Sequence, residues 1–436
     1  MSKTQVSDLF IKVIKYCFFV FSVMTLVVAV VATYISAKMF DEKSYLSYIC
    51  IAVFLVLVLL FYLCLERYGG KHGRVILISI VSFCFLIRLA VVLFFNVEPQ
   101  SDFQTYHKMA ASIAAGWPLQ SVYGAAFPHT IGYSMVLSVI YRIFGVNVFY
   151  IQLFNVLVET LSAYLIYKVT SRLVTTKTGL FASFLYAIFP SFILYSEIIA
   201  TEMLFTLLFL MILYLICLLN GKLKYTIIFF MGMAVAVTNS IRPSGPVVLF
   251  AICLYIIFIL KDTIFKKAIS IVMLITVYSI CFLGAYHLIS TVNQLPVAKS
   301  PIGYNLYVGG NLKSYGAWNV EDAEFSGEIM ERKDVTPDAF HKKFFDLGIK
   351  RYLENGFVNN SKLAFIKFGL MWATDTLVCF YLHIESFAFN YLNADIVKGI
   401  CNGYHMLLLV LILLGAKELI FNENTDFKKS GLLFIS

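Results

Sequence analysis

The chain has 436 residues, of which 60% are hydrophobic, 16% aromatic and only 14% charged. A soluble fold of this size cannot hide so much apolar surface, because globular exteriors remain largely polar. The net charge of +9 sits in short Lys/Arg clusters between apolar runs, a topology signal that excludes an extended nucleic-acid face. All nine cysteines lie in or beside apolar segments, and their spacing suggests neither a metal site nor a disulfide framework.

The apolar runs are roughly 17 to 25 residues long, enough to cross a hydrocarbon core as helix. They predict an all-α polytopic membrane protein of about 10–11 transmembrane helices. In chain order the spans fall near 13–36, 46–65, 75–97, 148–168, 178–195, 198–219, 225–241, 245–260, 268–290, 364–383 and 399–417. The first run is too long for a signal-peptide core and reads as an anchor. The basic segments 66–74 and 168–177, Lys222 with Lys224, and 261–267 belong on the cytoplasmic side. Alternation then places the N-terminus inside and Asp102, Glu197, Arg242 and the 291–363 loop outside. The count conflicts at the end, where Lys417, Lys428 and Lys429 favour the cytoplasm, and an interfacial 364–383 segment would reconcile the two.

The segment 98–147 is more than a loop. Ser101 and Gln104 have the spacing of a capping box, which predicts a short helix over 103–115, stopped by Gly116-Trp117-Pro118. Pro128 to Gly132 opens a second helix, ending at Phe144-Gly145. Both are aromatic-rich and suit the headgroup level. The loop 291–363 carries nine Lys/Arg and nine Asp/Glu, hence no net field. Its stretch from Gly303 to Asn319 combines Gly, Asn and aromatics, suited to tight turns and close approach to a polar ligand. Thr336-Pro337-Asp338 then starts a helix, expected to lie on the membrane with Phe340, Phe344, Leu347 and Ile349 facing down. The organisation reads as two N-terminal helices over 1–70, a transmembrane core over 71–290 containing the first outer loop 98–147, an extracytoplasmic region over 291–363, and C-terminal helices over 364–436. The stub 431–435 resembles the start of a further span, leaving truncation open.

Several pieces, taken together, resemble the GT-C glycosyltransferases, in particular the bacterial family-39-like branch related to protein mannosyltransferases and lipid A aminoarabinose transferases. They are Ser101-Asp102 with Tyr106; Pro128-His129-Thr130-Ile131-Gly132-Tyr133; Phe144-Gly145; Pro190 through Tyr195 to Thr201-Glu202; Arg242-Pro243; and the late Gly/Asn stretch. The likeness covers roughly 75 to 375. The resemblance implies a lipid-linked donor, typically a polyprenyl-phosphate sugar, delivering its glycosyl group with inversion to a cell-envelope acceptor (polymer, lipid or protein) at the outer face. A carboxylate would deprotonate or orient the acceptor hydroxyl, and cationic groups would balance charge on the leaving phosphate.

Asp102 is the first candidate for that carboxylate. Its bland reading is an acid favoured by the helix dipole, and a helix N-terminus would make it a weaker proton acceptor, so orienting the hydroxyl becomes its larger role. Glu202 lies just inside the outer end of a span, where an ionisable group is by default functional. It reads as a second acid holding acceptor, donor sugar or metal, or as one paired to a neighbouring helix. Glu197 is nearer water, either a substrate contact or a solvated loop residue. Arg242 either snorkels to headgroups or grips the donor phosphate with its fork of donors. Lys108 is a surface lysine or a lesser phosphate contact. His129 could line the acceptor groove, while Tyr195, Tyr304, Asn305 and Asn311 are candidate sugar contacts. Neither His107 nor His129 has a second ligand at metal spacing, so no metal-binding residues are assigned, and Mg or Mn dependence stays open. Asp375 is a polar anomaly with no assigned role. The composition fits a bacterial plasma membrane. A transporter or lipid flippase, the main alternative, would gather acids at the bilayer midplane; a glycan polymerase or ligase would share the sidedness but use a pyrophosphate-linked donor.

Overall fold

Hydrocarbon offers the backbone no hydrogen bonds, so an apolar run that enters it must close its own as helix. The computed structural model describes residues 3–40, 45–95, 97–332, 334–382 and 394–421, and among them every regular element is helical. The first seven helices are α1 (Lys3–Phe40), α2 (Tyr45–Phe94), α3 (Ser101–Ala114), α4 (Val122–Ala126), α5 (Pro128–Phe144), α6 (Val148–Leu173) and α7 (Thr176–Ala187). Next come α8 (Pro190–Tyr195), α9 (Thr201–Leu219), α10 (Tyr225–Ile241), α11 (Gly245–Phe258) and α12 (Ile264–Asn293). The rest are α13 (Gly303–Gly309), α14 (Val320–Met330), α15 (Pro337–Trp372), α16 (Leu377–Tyr381) and α17 (Ala394–Phe421). Among the described residues six helices are long and apolar enough to cross a membrane, and α10 and α11 are shorter apolar ones. The chain is an all-α polytopic membrane protein.

The second of the six, α2, has 50 residues and non-helical backbone at His72 (φ −117°, ψ 19°). Its two arms lie along α7 in opposite directions. Phe61 stacks on Phe184 at 3.8 Å, Glu66 meets Lys177 at 3.1 Å near the start of α7, and Arg88 returns to the carbonyls of Tyr186 and Ala187 at its far end. The expected pair of spans around a basic turn is therefore a helical hairpin. The expected 178–195 span is broken into α7 and α8, because Pro190 cannot donate into the preceding turn and opens a new helix instead.

The end of the bundle opposite Glu66 and Lys177 carries α3 to α5 and the 291–363 region. Asn293 closes that end by accepting the Ser121 N–H at 2.9 Å and donating to its carbonyl at 3.1 Å. Gly132 lets α5 pass against α10, where a methyl group would collide with the Ser240 carbonyl.

Two local expectations change. The helix at Asp102 starts without a capping box: Gln100 is the N-cap, no side chain caps it, and Ser101 takes φ 52°. Left-handed backbone costs a non-glycine residue about 1–2 kcal/mol, so this turn is held by its surroundings. The helix begun by Thr336, whose hydroxyl does accept the Ala339 N–H at 3.2 Å, does not lay Phe340 and Phe344 on a membrane. Both are fully buried against Ala126, Phe127 and Ile329, because the Gly303–Gly309 helix and α4 provide an internal apolar face for them. The expected 364–383 span likewise ends at Trp372 and resumes only as the one-turn α16. The 431–435 stub lies outside the described residues.

Candidate functional site

The site is organised by a stretch of buried, non-helical backbone. Residues 196–200 between α8 and α9 are all buried, so their carbonyls need donors from elsewhere. The α6 face supplies them. Gln152 Nε2 donates to the Glu197 carbonyl at 3.2 Å, and Asn155 Nδ2 donates to the carbonyls of Ser196 (3.3 Å) and Ile198 (2.8 Å). Tyr133 Oη from α5 donates to the Ala200 carbonyl at 2.8 Å. Three polar side chains, themselves buried, thus fix the segment that delivers Thr201 and Glu202 to the start of α9.

Glu202 then meets Arg242, which extends from the C-terminus of α10, at 2.7 Å; the two side chains are 50% and 43% exposed. The Thr201 hydroxyl lies between them, 3.4 Å from Arg242 Nη1 and 3.3 Å from Glu202 Oε2. The guanidinium also lies over the Phe205 ring at 5.8 Å. Tyr106 connects this pair to α3. Its ring packs edge-on to Tyr133 at 5.2 Å. Burial first, then the charges of Asp102 and Glu202, raise its phenol above the ordinary range, with Arg242 opposing. Asp102 itself is exposed and accepts a hydrogen bond from Tyr123 Oη at 3.3 Å. Tyr381 of α16 completes the ring: it packs edge-on against Phe103 at 4.9 Å and feels both Glu202 and Asp102. Asp102, Glu202 and Arg242, far apart in sequence, therefore all lie within electrostatic reach of Tyr106.

Tyr195 joins this group, within electrostatic reach of Glu202, Tyr381, Asp375 and Arg242. His129 of α5 also lies within electrostatic reach of Arg242. Burial, then Arg242 and His341, push its imidazole down to about 4, so it is neutral at physiological pH, and its Nδ1 is buried without a hydrogen-bond partner. It lines a cavity of about 160 Å³ with Pro128, Asn239, Pro243, Tyr278 and Phe282.

Other expectations fare differently. Glu197 is not a solvated loop residue. It is 2% exposed, its Oε1 accepts the Gln152 amide at 2.9 Å and the Val97 N–H at 3.2 Å, and burial raises its carboxyl to about 8. Asn311 spends its amide on Asp322 Oδ2 at 2.9 Å and its carbonyl oxygen on the Lys313 N–H at 2.9 Å, so it braces a loop. Asp322 is held below the usual carboxylate range by Arg351, Asn311 and Asn319, against the opposing effect of burial. Tyr304 packs among Phe127, Phe340 and Phe344, though Tyr123 feels it, while Asn305 and Lys108 are exposed. Among the described residues no three His, Cys, Asp or Glu side chains gather as a metal site.

Sequence reasoning missed Tyr123 and Tyr381, for which tyrosine abundance hid the signal, and left Asp375 without a role. Asp375 accepts the Ser191 hydroxyl at 2.5 Å, tying α8 to the segment that presents Tyr381; burial raises its carboxyl, against Ser191 and His405. Arg88 and Glu159 were also unremarked, each a charge in the interior of a predicted span. They meet at 3.4 Å and are 0% and 2% exposed, and a charge at membrane depth is the available signal.

Residues 128–286, from α5 into α12, match the family model described as dolichyl-phosphate-mannose-protein mannosyltransferase. No curated protein matches the chain. The family match supports a membrane glycosyltransferase of the GT-C kind. Glu202 and Arg242 fall inside the matched residues, whereas Asp102 precedes them on α3, which also carries Tyr106.

Proposed function

We propose that this enzyme moves a sugar from a polyprenyl-phosphate donor to a cell-envelope acceptor on the outer face of a bacterial plasma membrane, with inversion. The observation that carries the reading is the grouping of an exposed Asp102 with the half-exposed Glu202–Arg242 pair around Tyr106 at one end of an apolar bundle. A single displacement needs just these parts. Asp102, oriented by Tyr123, receives the acceptor hydroxyl and takes its proton as the oxygen attacks the anomeric carbon. The bond from that carbon to the phosphate oxygen breaks on the opposite side, and the polyprenyl phosphate leaves with the electron pair. Arg242 uses one terminal nitrogen on Glu202 and retains donors for the leaving phosphate. Glu202 sets the direction of that guanidinium, and neutral His129 lines the adjoining cavity as a hydrogen-bonding group that adds no charge. Tyr195 and Tyr381 offer aromatic faces to the sugar.

The test uses purified protein in proteoliposomes with a radiolabelled polyprenyl-phosphate sugar. Asp102→Asn is expected to insert and fold normally yet abolish transfer. Wild-type transfer by that variant overturns the assignment of the base.

A further inference from the structure

A second cavity, of about 430 Å³, opens at the same end of the bundle but on a different side of α3. Its walls include Phe95, Glu98, His107, Asn147, Phe149 and Gln152. Five residues separate Asp102 from His107, which is about 140° around a helix of 3.6 residues per turn, so the cavity lies off the face of α3 that bears Asp102. None of the proposed catalytic groups lines it.

The local folding leaves its polar atoms half used. Asn147 caps α6, its Oδ1 accepting the Phe149 N–H at 2.9 Å, which leaves the amide nitrogen. Gln152 commits its nitrogen to Glu197, which leaves the carbonyl oxygen and fixes which way the amide faces. His107 commits Nδ1 to Tyr141 Oη at 2.7 Å, leaving Nε2, and Glu98 adds an exposed carboxylate. The wall therefore offers donors and acceptors alternately, with half-buried rings of Phe95 and Phe149 between them. Among the described residues no Lys or Arg lines it, so it does not suit a phosphate. Polar groups of both kinds beside aromatic faces suit a neutral polyhydroxylated ligand, whose hydroxyls donate and accept and whose C–H faces pack on rings.

We infer that this cavity binds a saccharide unit of the acceptor, so that the acceptor is a glycan chain. The inference rests on the proposed transfer reaction. Glu98, at the cavity rim, is four residues from Asp102, a separation of at most about 15 Å along the chain. A glycan seated in the cavity reaches over the strained turn at Ser101 and presents its end hydroxyl to Asp102. Glu197 acts here as a positioning residue, through Gln152.

Saturation-transfer NMR on the full-length protein in detergent tests this, using neutral linear tetrasaccharides of the gluco, galacto, manno and N-acetylglucosamine series as probes. At least one is expected to receive saturation from the wild type. The combined Glu98→Ala and Asn147→Ser variant, which keeps a helix cap, is expected to weaken that binding about tenfold or more, as loss of two hydrogen bonds implies. Asp102→Asn is expected to bind like wild type while failing to transfer, which separates this site from the reaction. No saturation of any tetrasaccharide, equal saturation of the cavity variant, or displacement by a neutral Ser/Thr-rich peptide overturns the inference. Normal transfer by Asp102→Asn with binding intact overturns the reaction assignment alone.

Discussion

The described residues contain two Arg–Glu pairs of the same composition and different purpose. Arg88–Glu159 is fully buried between α2 and α6. Tyr186 Oη adds a hydrogen bond to Glu159 at 2.9 Å, and the Ala187 carbonyl accepts from Arg88 at 3.1 Å. Arg242–Glu202 is closer, at 2.7 Å, yet half exposed. Proximity is thus a poor guide to what a pair does; burial is a better one. Removing one partner of a buried pair strands an uncompensated charge, at a cost of about 3–5 kcal/mol, whereas an exposed pair contributes only about 0–1 kcal/mol. The first pair is committed to holding α2, α6 and α7 together. The second costs the fold little to disturb and is available to a substrate.

The same replacement at the two arginines should therefore split cleanly. Arg88→Met is expected to lose about 3–5 kcal/mol and to lower the melting temperature, followed by labelling of the buried thiols Cys84, Cys379 and Cys401. Adding Glu159→Leu is expected to recover most of that loss, and failure to recover would show that the arginine acts otherwise than by neutralising Glu159. Arg242→Leu is expected to melt near the wild-type temperature while reducing transfer about 10²- to 10³-fold, the range for removing a transition-state donor. Arg242→Lys should fall between, since charge remains and the fork is lost.

Glu197 sharpens the contrast as a buried acid held by an amide and a backbone N–H, with no cation beside it among the described residues. Its folded-state carboxyl titrates at about 8 against an ordinary value of 4.5, so the fold favours the neutral form. The associated stability is complete below about pH 4.5 and is lost as pH rises through about 8. Melting of the wild type should decline between about pH 4.5 and pH 8 and level off above that, and Glu197→Gln should flatten the decline. The smallest expected effect is that of Tyr123→Phe, about fivefold on transfer for one hydrogen bond, with melting unchanged.

Much of the architecture was legible because a membrane span has a length and composition that no other element shares. The spans predicted at 148–168, 198–219, 225–241, 245–260 and 268–290 are α6, α9, α10, α11 and α12, with ends moved by a few residues. Pro128 and Gly145 marked the ends of α5. The errors came where local pattern competes with packing. Ser101 and Gln104 have capping spacing, but the chain approaches α3 with Ser101 at positive φ, where that cap cannot form. Phe340 and Phe344 have a membrane-facing pattern, but α4 and α13 cover them. An apolar stripe states only that it will be buried, and leaves open whether lipid or protein does it.

Composition alone determined that this chain lives in a bilayer, and the order of its acids and arginine suggested chemistry at one end. Only the tertiary structure decided that Asp102, Glu202 and Arg242 all reach Tyr106, that Glu197 is buried and that Arg88 has a partner. The reason is physical. Transfer from water to hydrocarbon is a sum over residues and can be read along a chain, whereas a side chain's charge, partners and exposure depend on neighbours that the sequence places a hundred residues away.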